Sequence, residues 1–510
     1  MRLVGVVGSG ATATWAPLIV YEEHERWVRE EQLVLIEDSR RNAKFLGVLR
    51  RVARYDPFLV PYRRTAYVDS PHLADEGSAA FGTSGILVVG ELVEGIVKEP
   101  TLPPNPGSRV SVVEGPNELG LRLGGGLVVG RHKYSGLELP LRPEFVHYHV
   151  AIVGGTGSGK SRLALALVQE LLAKTNYSVV IFDHTGVDYV PFLPREKVVD
   201  GSEVLLTPDV IAELMLNRTG LYRERTTYEK YFLFTTVYYL AWRARMVDHE
   251  AVVRQLQQAR RVRSFRQEGS ELIRQLGSLD YSELLNRMAN GVEWEVEGYK
   301  EALRAIRDAI GGRESAEVRA LLSIDLKLGR SFFESLSRRR LHPRSIVERA
   351  LRDKLVVVDL SSDFDAVTKQ HVISSTISEA WRLVEERRRP LNLVFVVDEA
   401  HNYASSSAYG CFDEIERTAR EGRKWGLGLV LVTQRVIDID PKVRGNVNTV
   451  FFSRLQTQND FKELAGYIDL GGITEASLSV LGQREFYVAG LMNPLRTPML
   501  LRVREVGHGG

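Results

Sequence analysis

The sequence predicts an α/β protein whose core of strands and helices follows a small β-barrel and is interrupted by an all-helical insertion. Three observations predict it. Residues 1–135 hold short apolar segments separated by glycine and proline, which is typical of a barrel. Residues 205–345 show helical periodicity with few strand signals, over a length that exceeds any ordinary connection. On either side of that stretch, strand-like and helix-like segments alternate as a parallel sheet requires.

We therefore expect five segments: a barrel domain at 1–135, the first part of the core at 136–204, the helical insertion at 205–345, the second part of the core at 346–490 and a C-terminal extension at 491–510. Expected strands are Leu3–Val7, Leu33–Glu37, Gly85–Val89, Arg109–Val113, Gly126–Val129, Val150–Val153, Ser178–Phe182, Lys354–Leu360, Leu391–Val397, Gly428–Val432, Thr449–Phe452 and Met499–Val503. Expected helices are Ser161–Lys174, Val210–Leu216, Tyr228–Arg245, Val252–Leu276, Tyr299–Ile310, 366–388, 410–424 and 458–466.

Composition limits the possible functions. With 44% apolar and 26% charged residues in 510, the chain can bury large cores without disulfides or a structural metal. Cys411 is the only cysteine, which excludes an internal disulfide and a cysteine-based zinc site. The net charge of +2 means that any nucleic-acid contact has to be a local basic surface. The first residues show no apolar h-region and the sequence has no apolar run of membrane-spanning length, so we expect a cytoplasmic protein without a membrane partner.

A glycine-rich motif stands between an expected strand and an expected helix. It matches GxxxxGK[ST] and comprises Gly154, Gly155, Thr156, Gly157, Ser158, Gly159, Lys160 and Ser161. Successive backbone N–H groups of such a loop surround phosphate oxygens, helped by the helix N-terminus. We expect Lys160 to reach the β- and γ-phosphates of ATP and the Ser161 hydroxyl to bind Mg²⁺, with Arg162 completing the nucleotide-binding set.

An apolar segment that ends in two carboxylates supplies the acidic partner of this loop. Leu393–Val397 is followed by Asp398 and Glu399. We expect this segment to be a strand next to the P-loop strand, with Asp398 holding Mg²⁺ through water and Glu399 polarising the attacking water. A third strand ends at Thr433-Gln434-Arg435, where the Gln434 amide is placed to sense the γ-phosphate. Together these motifs predict a RecA-like P-loop ATPase core.

Two other ATPase classes are disfavoured. Asp398-Glu399-Ala400-His401 spells the DEAH box of two-lobed helicases, but the chain ends 109 residues later, too soon for a second lobe. No LSGGQ signature precedes the acidic strand between residues 346 and 392, as an ABC-type ATPase would require. With one lobe, the arginine that stabilises transition-state charge comes from within the site or from a neighbouring subunit. We therefore predict a ring, with Arg420 and Arg423 as candidate trans arginines and Arg444 and Arg454 as further candidates.

These motifs resemble those of the HerA/FtsK group of ring-forming DNA translocases, and HerA most closely. The resemblance lies in His149–Ser161, Val396–Asn402, Arg420–Gly426 and Leu429–Arg435, and in the order of the segments. It implies a hexameric, ATP-driven motor on double-stranded DNA. It also implies that a NurA-like nuclease binds the N-terminal barrel, and that the pair processes DNA ends for recombinational repair. Phe182–Tyr189 departs from the family pattern by one extra residue and by Asp188 in place of glutamate.

The DNA-contacting residues and the substrate are less closely defined. Lys369, Lys442 and Arg444 are expected in loops at the ends of core strands, where they would grip phosphates. Arg260–Arg263 and Arg338–Arg340 are basic runs within the insertion, and such runs are also common on solvated helix faces. Two alternatives stay open: a conjugation- or secretion-type ATPase that moves DNA or protein at a membrane channel, and an ATP-gated assembly scaffold.

Overall fold

The fold is taken from a computed structural model, which describes residues 1–56, 81–261, 265–310, 313–363, 365–408 and 410–507, together with residues 59, 64, 70 and 72. It forms two compact units. The first comprises Met1–Tyr177, Asn392–Ser405 and Thr418–His508, and the second comprises mainly Ser178–Leu391 and Ser406–Arg417. The five segments proposed above therefore remain a prediction about domain boundaries.

The N-terminal part of the first unit is a closed six-stranded barrel, as the sequence predicts. Its strands run in the order β2-β1-β7-β3-β4-β5, β2 pairs with β5 to close the barrel, and β6 extends the β5 edge. Alternate side chains fill its interior, among them Val34, Ile36, Phe45 and Ile86. The strands are β1 Arg2–Val7, β2 Trp15–Val20, β3 Leu33–Asp38, β4 Ala43–Tyr55, β5 Phe81–Val93, β6 Ile96–Lys98 and β7 Arg109–Val112.

One predicted strand of this region is wrong. Gly126–Val129 contributes only an isolated bridge, between Leu127 and Leu141. Three successive glycines at 124–126 weaken strand formation there. The strand begins later, at β8 Gly130–His132, where it pairs with a C-terminal strand.

The remaining elements follow in chain order. After β8 come β9 Val150–Val153, α1 Lys160–Lys174, β10 Ser178–Asp183, β11 Val198–Asp200, α2 Pro208–Thr219, α3 Arg225–Arg243, α4 His249–Arg261, α5 Phe265–Gly277, α6 Tyr281–Ala289, α7 Val296–Ile310, α8 Glu314–Ser323, α9 Gly329–Ser337, α10 Pro343–Asp353, β12 Leu355–Asp359 and α11 Ala366–Arg387. The C-terminal part holds β13 Leu393–Val397, α12 Cys411–Glu421, β14 Leu427–Thr433, α13 Pro441–Arg444, β15 Thr449–Phe452, α14 Gln458–Tyr467, α15 Glu475–Ser479, β16 Glu485–Gly490 and β17 Met499–Val503.

In the first unit the core strands run in the order β13-β14-β9-β15-β16-β17-β8. The pairs from β13 to β15 are parallel, whereas β15, β16, β17 and β8 pair antiparallel. The predicted parallel core is therefore correct, and an antiparallel extension adds to it. The carboxyl ends of β13, β14 and β9 lie at one edge of the sheet, because these strands are parallel and adjacent.

The second unit contains three parallel strands, in the order β11-β12-β10, and the helical region. One buried cluster from Leu205 to Leu336 joins its helices and confirms the predicted all-helical insertion. The predicted single helix at Val252–Leu276 is wrong, because α4 and α5 are separate helices. Gln255 of α4 donates a hydrogen bond to Glu268 of α5, 13 residues along the chain, and one continuous helix would hold these side chains about 19 Å apart.

Candidate nucleotide site

The glycine-rich loop leaves the carboxyl end of β9 and enters α1. Gly157 and Gly159 adopt φ of 75° and 98°, the left-handed region that glycine enters without steric cost. A Cβ atom on Gly154 would lie 2.7 Å from Ser158 Oγ, so that position has no room for a side chain. The loop therefore curls tightly before a 15-residue helix, and its backbone N–H groups suit an anion at the helix N-terminus.

Two side chains of the first turn of α1 complete this cradle. Lys160 is 9% exposed, and its Nζ donates a hydrogen bond to the Gly155 carbonyl 3.3 Å away, across the loop. Ser161 and Arg162 follow on the same turn. A helix N-terminus, a buried ammonium group and an adjacent hydroxyl are the donor set that a triphosphate with Mg²⁺ requires.

Asp398 and Glu399 directly follow β13. Asp398 is only 3% exposed, and Glu399 has left-handed backbone angles of φ 46° and ψ 47°. The expectation that their strand neighbours the P-loop strand is wrong: β14 lies between β13 and β9. Both carboxylates still reach the P-loop edge, because all three strands are parallel and end at the same edge.

Gln434 follows β14 and forms hydrogen bonds both to the P-loop and to the residue pair that follows β13. Its Oε1 accepts a hydrogen bond from Thr156 Oγ1 of the P-loop at 2.9 Å, and its Nε2 donates to Glu399 Oε1 at 2.9 Å. The amide therefore connects the loop that would hold the phosphates to the carboxylate that would activate water. This is the position expected of a γ-phosphate sensor.

Two further residues, for which the sequence predicts no role, join this network. Gln456 Nε2 donates to Gln434 Oε1 at 3.2 Å, from the loop after β15. His401 Nδ1 lies 3.3 Å from Glu399 Oε2. Both carboxylate oxygens of Glu399 thus face a side chain of the same unit. His401 could have been found from the four-residue motif that contains it, whereas Gln456 stands in no motif.

His149, at the start of the P-loop segment, holds two strands of the sheet together. Its Nδ1 accepts a hydrogen bond from the Leu429 N–H at 3.1 Å, which ties the start of β9 to β14. Burial lowers the pKa of His149 to about 4, so the ring is neutral at pH 7 and can accept this bond.

Arg423 lies at the edge of the sheet opposite the P-loop of its own chain. Arg420 pairs with Glu421 at 2.9 Å, and the Arg423 guanidinium stacks 4.2 Å above the Tyr148 ring. Tyr148 precedes the amino end of β9, whereas the P-loop follows its carboxyl end. A four-residue strand separates the two ends by about 13 Å. The exposed Arg423 side chain is therefore available to a neighbouring molecule rather than to its own site.

The two further arginine candidates differ in placement. Arg444 is bound within its own unit, since Nη2 pairs with Glu463 at 2.7 Å and Nη1 donates to the Val436 carbonyl at 3.2 Å. Arg454 is exposed next to the P-loop, and its carbonyl accepts the Gly155 N–H at 2.6 Å.

Several basic residues that we considered for DNA contact lie in helices or are buried, not in loops at the ends of core strands. Lys369 lies within α11, not in a loop, and donates to the His184 carbonyl at 3.1 Å. Arg339 is buried and pairs with Asp363 at 2.7 Å, so it stabilises its own unit. Lys442 and Arg444 lie on the short helix α13; Lys442 is exposed and Arg444 is partly buried. The Arg260–Arg263 run lies partly outside the described residues.

The loop that departs from the family pattern is organised by Asp183. Its Oδ1 accepts the Gly186 N–H at 2.9 Å, and its Oδ2 accepts the Tyr189 N–H at 2.9 Å. Asp188 accepts a hydrogen bond from Thr185 Oγ1 at 2.8 Å. Asp183 therefore fixes the loop conformation, and Asp188 bonds within the loop.

Comparison with known proteins adds to this geometry. Residues 127–380 match the family model described as the central domain of helicase HerA. The chain is 25% identical over 425 residues to the DNA double-strand break repair helicase HerA of Sulfurisphaera tokodaii, over 81% of this chain and 76% of that protein. It is also 25% identical over 391 residues to the probable DNA double-strand break repair helicase HerA of Methanocaldococcus jannaschii, over 68% of this chain and 70% of that protein.

Among solved structures, VirB4 of Thermoanaerobacter pseudethanolicus matches 75% of this chain and 97% of its own, at 16% identity and a TM-score of 0.45. Within the described part of the chain, none of the helices combines the length and the apolar character that a membrane span needs.

Proposed function

This chain belongs to the HerA family, and on that premise we propose that it is an ATP-driven translocase on double-stranded DNA. The observation that carries the proposal is the bond pair of Gln434, to Thr156 of the P-loop and to Glu399. A site built only to hold a nucleotide does not need a carboxylate bonded to a phosphate-sensing amide. A hydrolytic motor needs that link, because the γ-phosphate has to control when water is activated.

Each residue of the site then has a role. The backbone of Gly154–Gly159 and the Lys160 ammonium group would bind the phosphates of ATP. Ser161 and Asp398 would hold Mg²⁺, which when bound neutralises charge on the β- and γ-phosphate oxygens. Glu399 orients the attacking water and accepts its proton. Gln434 releases or holds Glu399 according to what occupies the loop beside Thr156.

The position of Arg423 supports a ring. A guanidinium at the amino edge of the sheet cannot serve the P-loop at the carboxyl edge of its own chain. It can serve the P-loop of a neighbour if subunits repeat head to tail, and such a heterologous contact forms a ring when its rotation closes. We propose that ATP binds at these interfaces and that the ring is a hexamer, which the family resemblance implies.

We also propose that a NurA-like nuclease binds the N-terminal barrel and that the pair processes DNA ends in recombinational repair. The names of the matched relatives, which are double-strand break repair helicases, support the repair role. Ile19 of barrel strand β2 is a large apolar side chain that is 53% exposed, and we propose it as a contact for this partner. Ile19→Asp should weaken co-elution with a NurA-family nuclease while leaving ATP hydrolysis unchanged; an unweakened complex would show that Ile19 is not part of the binding surface.

The decisive experiment measures steady-state ATP hydrolysis with and without linear duplex DNA, on protein whose mass in solution has been determined. We expect DNA to raise the rate and Lys160→Ala to abolish it. A DNA-independent rate would favour either alternative, the channel-associated ATPase or the assembly scaffold, over the DNA motor. Absence of hydrolysis under every condition would overturn the enzymatic proposal itself.

A further inference from the structure

Arg484 has a backbone conformation that non-glycine residues seldom adopt. Its φ is 64°, in the left-handed region, although it carries a long side chain. It stands immediately before β16, between two segments that bind its backbone. Its N–H donates to the Ser158 carbonyl of the P-loop at 2.8 Å, and its carbonyl accepts the Val503 N–H at 2.9 Å. Arg484 is thus held between the P-loop and the C-terminal strand β17.

The side-chain stem of Arg484 lies against the point where the P-loop enters α1. A Cβ atom on Gly159 would come within 3.1 Å of Arg484 Cγ and 3.5 Å of its Cα. The N–H groups of this part of a P-loop surround the α- and β-phosphates of a bound nucleotide. The aliphatic part of the Arg484 side chain therefore packs against the loop that would hold the phosphates, and the guanidinium lies at its end.

The guanidinium makes an ion pair that is easily exchanged. Nη2 lies 2.9 Å from Glu505 Oε1, with the Arg484 side chain 32% exposed and the Glu505 side chain 83% exposed. Such an exposed pair contributes little, because water screens it. A phosphate offers the same guanidinium more negative charge and a geometry that it binds through two N–H groups.

We propose that Arg484 is a nucleotide-binding residue that each chain supplies to its own P-loop, and that Glu505 competes with the nucleotide phosphates for it. Arg484 contacts the α- and β-phosphates, so it acts on ADP and ATP alike. Glu505 of the C-terminal segment sets how readily the guanidinium is available. This inference rests on the proposed function, since it takes Gly154–Ser161 as the nucleotide site.

The test is a titration of the full chain with fluorescent mant-ADP. Arg484→Gly keeps the backbone bonds to Ser158 and Val503 and suits the left-handed φ, so the variant should fold; its affinity should fall about 10-fold, the usual effect of losing one charged hydrogen bond. Arg484→Lys should lose less, because it keeps the charge. Glu505→Gln should bind about 2-fold more tightly, as expected for removing an exposed competitor.

Arg496 offers a matched control. It also has a left-handed φ, of 60°, and an exposed ion pair, with Glu99 at 2.7 Å. Arg496→Gly should therefore leave mant-ADP affinity unchanged. Wild-type affinity in Arg484→Gly would overturn the inference, and weaker binding by Glu505→Gln would overturn the competition. If the wild-type chain binds no mant-ADP, or Lys160→Ala binds it equally well, the proposed function itself fails.

Discussion

The Gln434 side-chain amide donates a 2.9 Å hydrogen bond to the Glu399 carboxylate. Gln434 follows β14 and Glu399 follows β13, and these adjacent parallel strands bring the two side chains to one edge of the sheet. Because Glu399 lies outside the strand in a left-handed conformation, its carboxylate is positioned by side-chain partners rather than by regular structure. Breaking this bond should therefore separate nucleotide binding from hydrolysis.

Gln434→Ala should retain ATP binding and lose hydrolysis by about 100-fold, the typical contribution of one positioned proton-transfer group. The reason is that Glu399 would no longer be oriented by the residue that contacts Thr156. Equilibrium binding of mant-ATP and single-turnover hydrolysis would separate the two effects. Gln456→Ala is the matched control, since Gln456 donates to Gln434 but not to Glu399, and it should cost much less. Equal losses in both variants would contradict a specific role for the Gln434–Glu399 bond.

Glu399→Gln should bind ATP as tightly as the wild type and hydrolyse it about 10²–10⁴-fold more slowly, because an amide cannot accept the proton of the attacking water. A filter-binding assay with radiolabelled ATP, followed by product analysis over time, would measure both quantities. Glu283→Gln provides a control, since that carboxylate pairs with Arg287 within the same helix, outside the site. Normal turnover by Glu399→Gln would remove Glu399 from the catalytic role.

The P-loop and the acidic strand could be predicted from the sequence because their signals are local. An apolar run, a glycine-rich motif and a helical period follow one another directly at residues 150–174, and the structure has β9, the loop and α1 there. Short-range backbone geometry fixes such segments, so their sequence is sufficient. The barrel was predicted as a class for the same reason, from its spacing of short strands and turns.

The parts that were missed depend on long-range pairing. Strand β4 runs from Ala43 to Tyr55, but its second half mixes arginines with apolar residues and contains a register shift between Arg50 and Ala53, so no alternation marks it. The position of Arg484 depends on β16 pairing with β17 and on a positive φ, neither of which is visible in the sequence. The order of β13, β14 and β9 likewise follows from tertiary pairing.

Mixed oligomers should reveal the trans arginine. Lys160→Ala subunits lack a working P-loop, and Arg423→Ala subunits lack the guanidinium that we place at the interface. Each variant alone should be inactive, whereas a mixture should recover part of the wild-type ATPase rate, because some interfaces combine an intact P-loop with an intact Arg423. Arg420→Ala mixed in the same way would show which arginine acts. No recovery at any mixing ratio would contradict a shared site.

The last prediction concerns a buried ion pair within the barrel segment, Glu31 with Arg50. Glu31 and Arg50 lie 2.9 Å apart, both nearly inaccessible, and Arg50 also donates to the Pro498 carbonyl at 2.9 Å. Burial raises the pKa of Glu31 to about 7, although Arg50 opposes this. A raised pKa means that the folded state binds the proton more tightly than the unfolded state. Stability from this group is therefore present below pH 4.5 and lost as the pH rises through 7.

Glu31→Gln should remove that dependence. Relative to the variant, the wild type should lose up to about 3 kcal/mol of unfolding free energy between pH 4.5 and pH 8, most of it below pH 7. Denaturant unfolding of both proteins at several pH values would measure the difference. Glu37→Gln is the control, because Glu37 pairs with Lys44 at an exposed position. Its unfolding free energy should change with pH in the same way as that of the wild type. If the unfolding free energies of Glu31→Gln and the wild type depend on pH in the same way, Glu31 is ionised throughout, and the attraction of Arg50 outweighs the effect of burial on the Glu31 pKa.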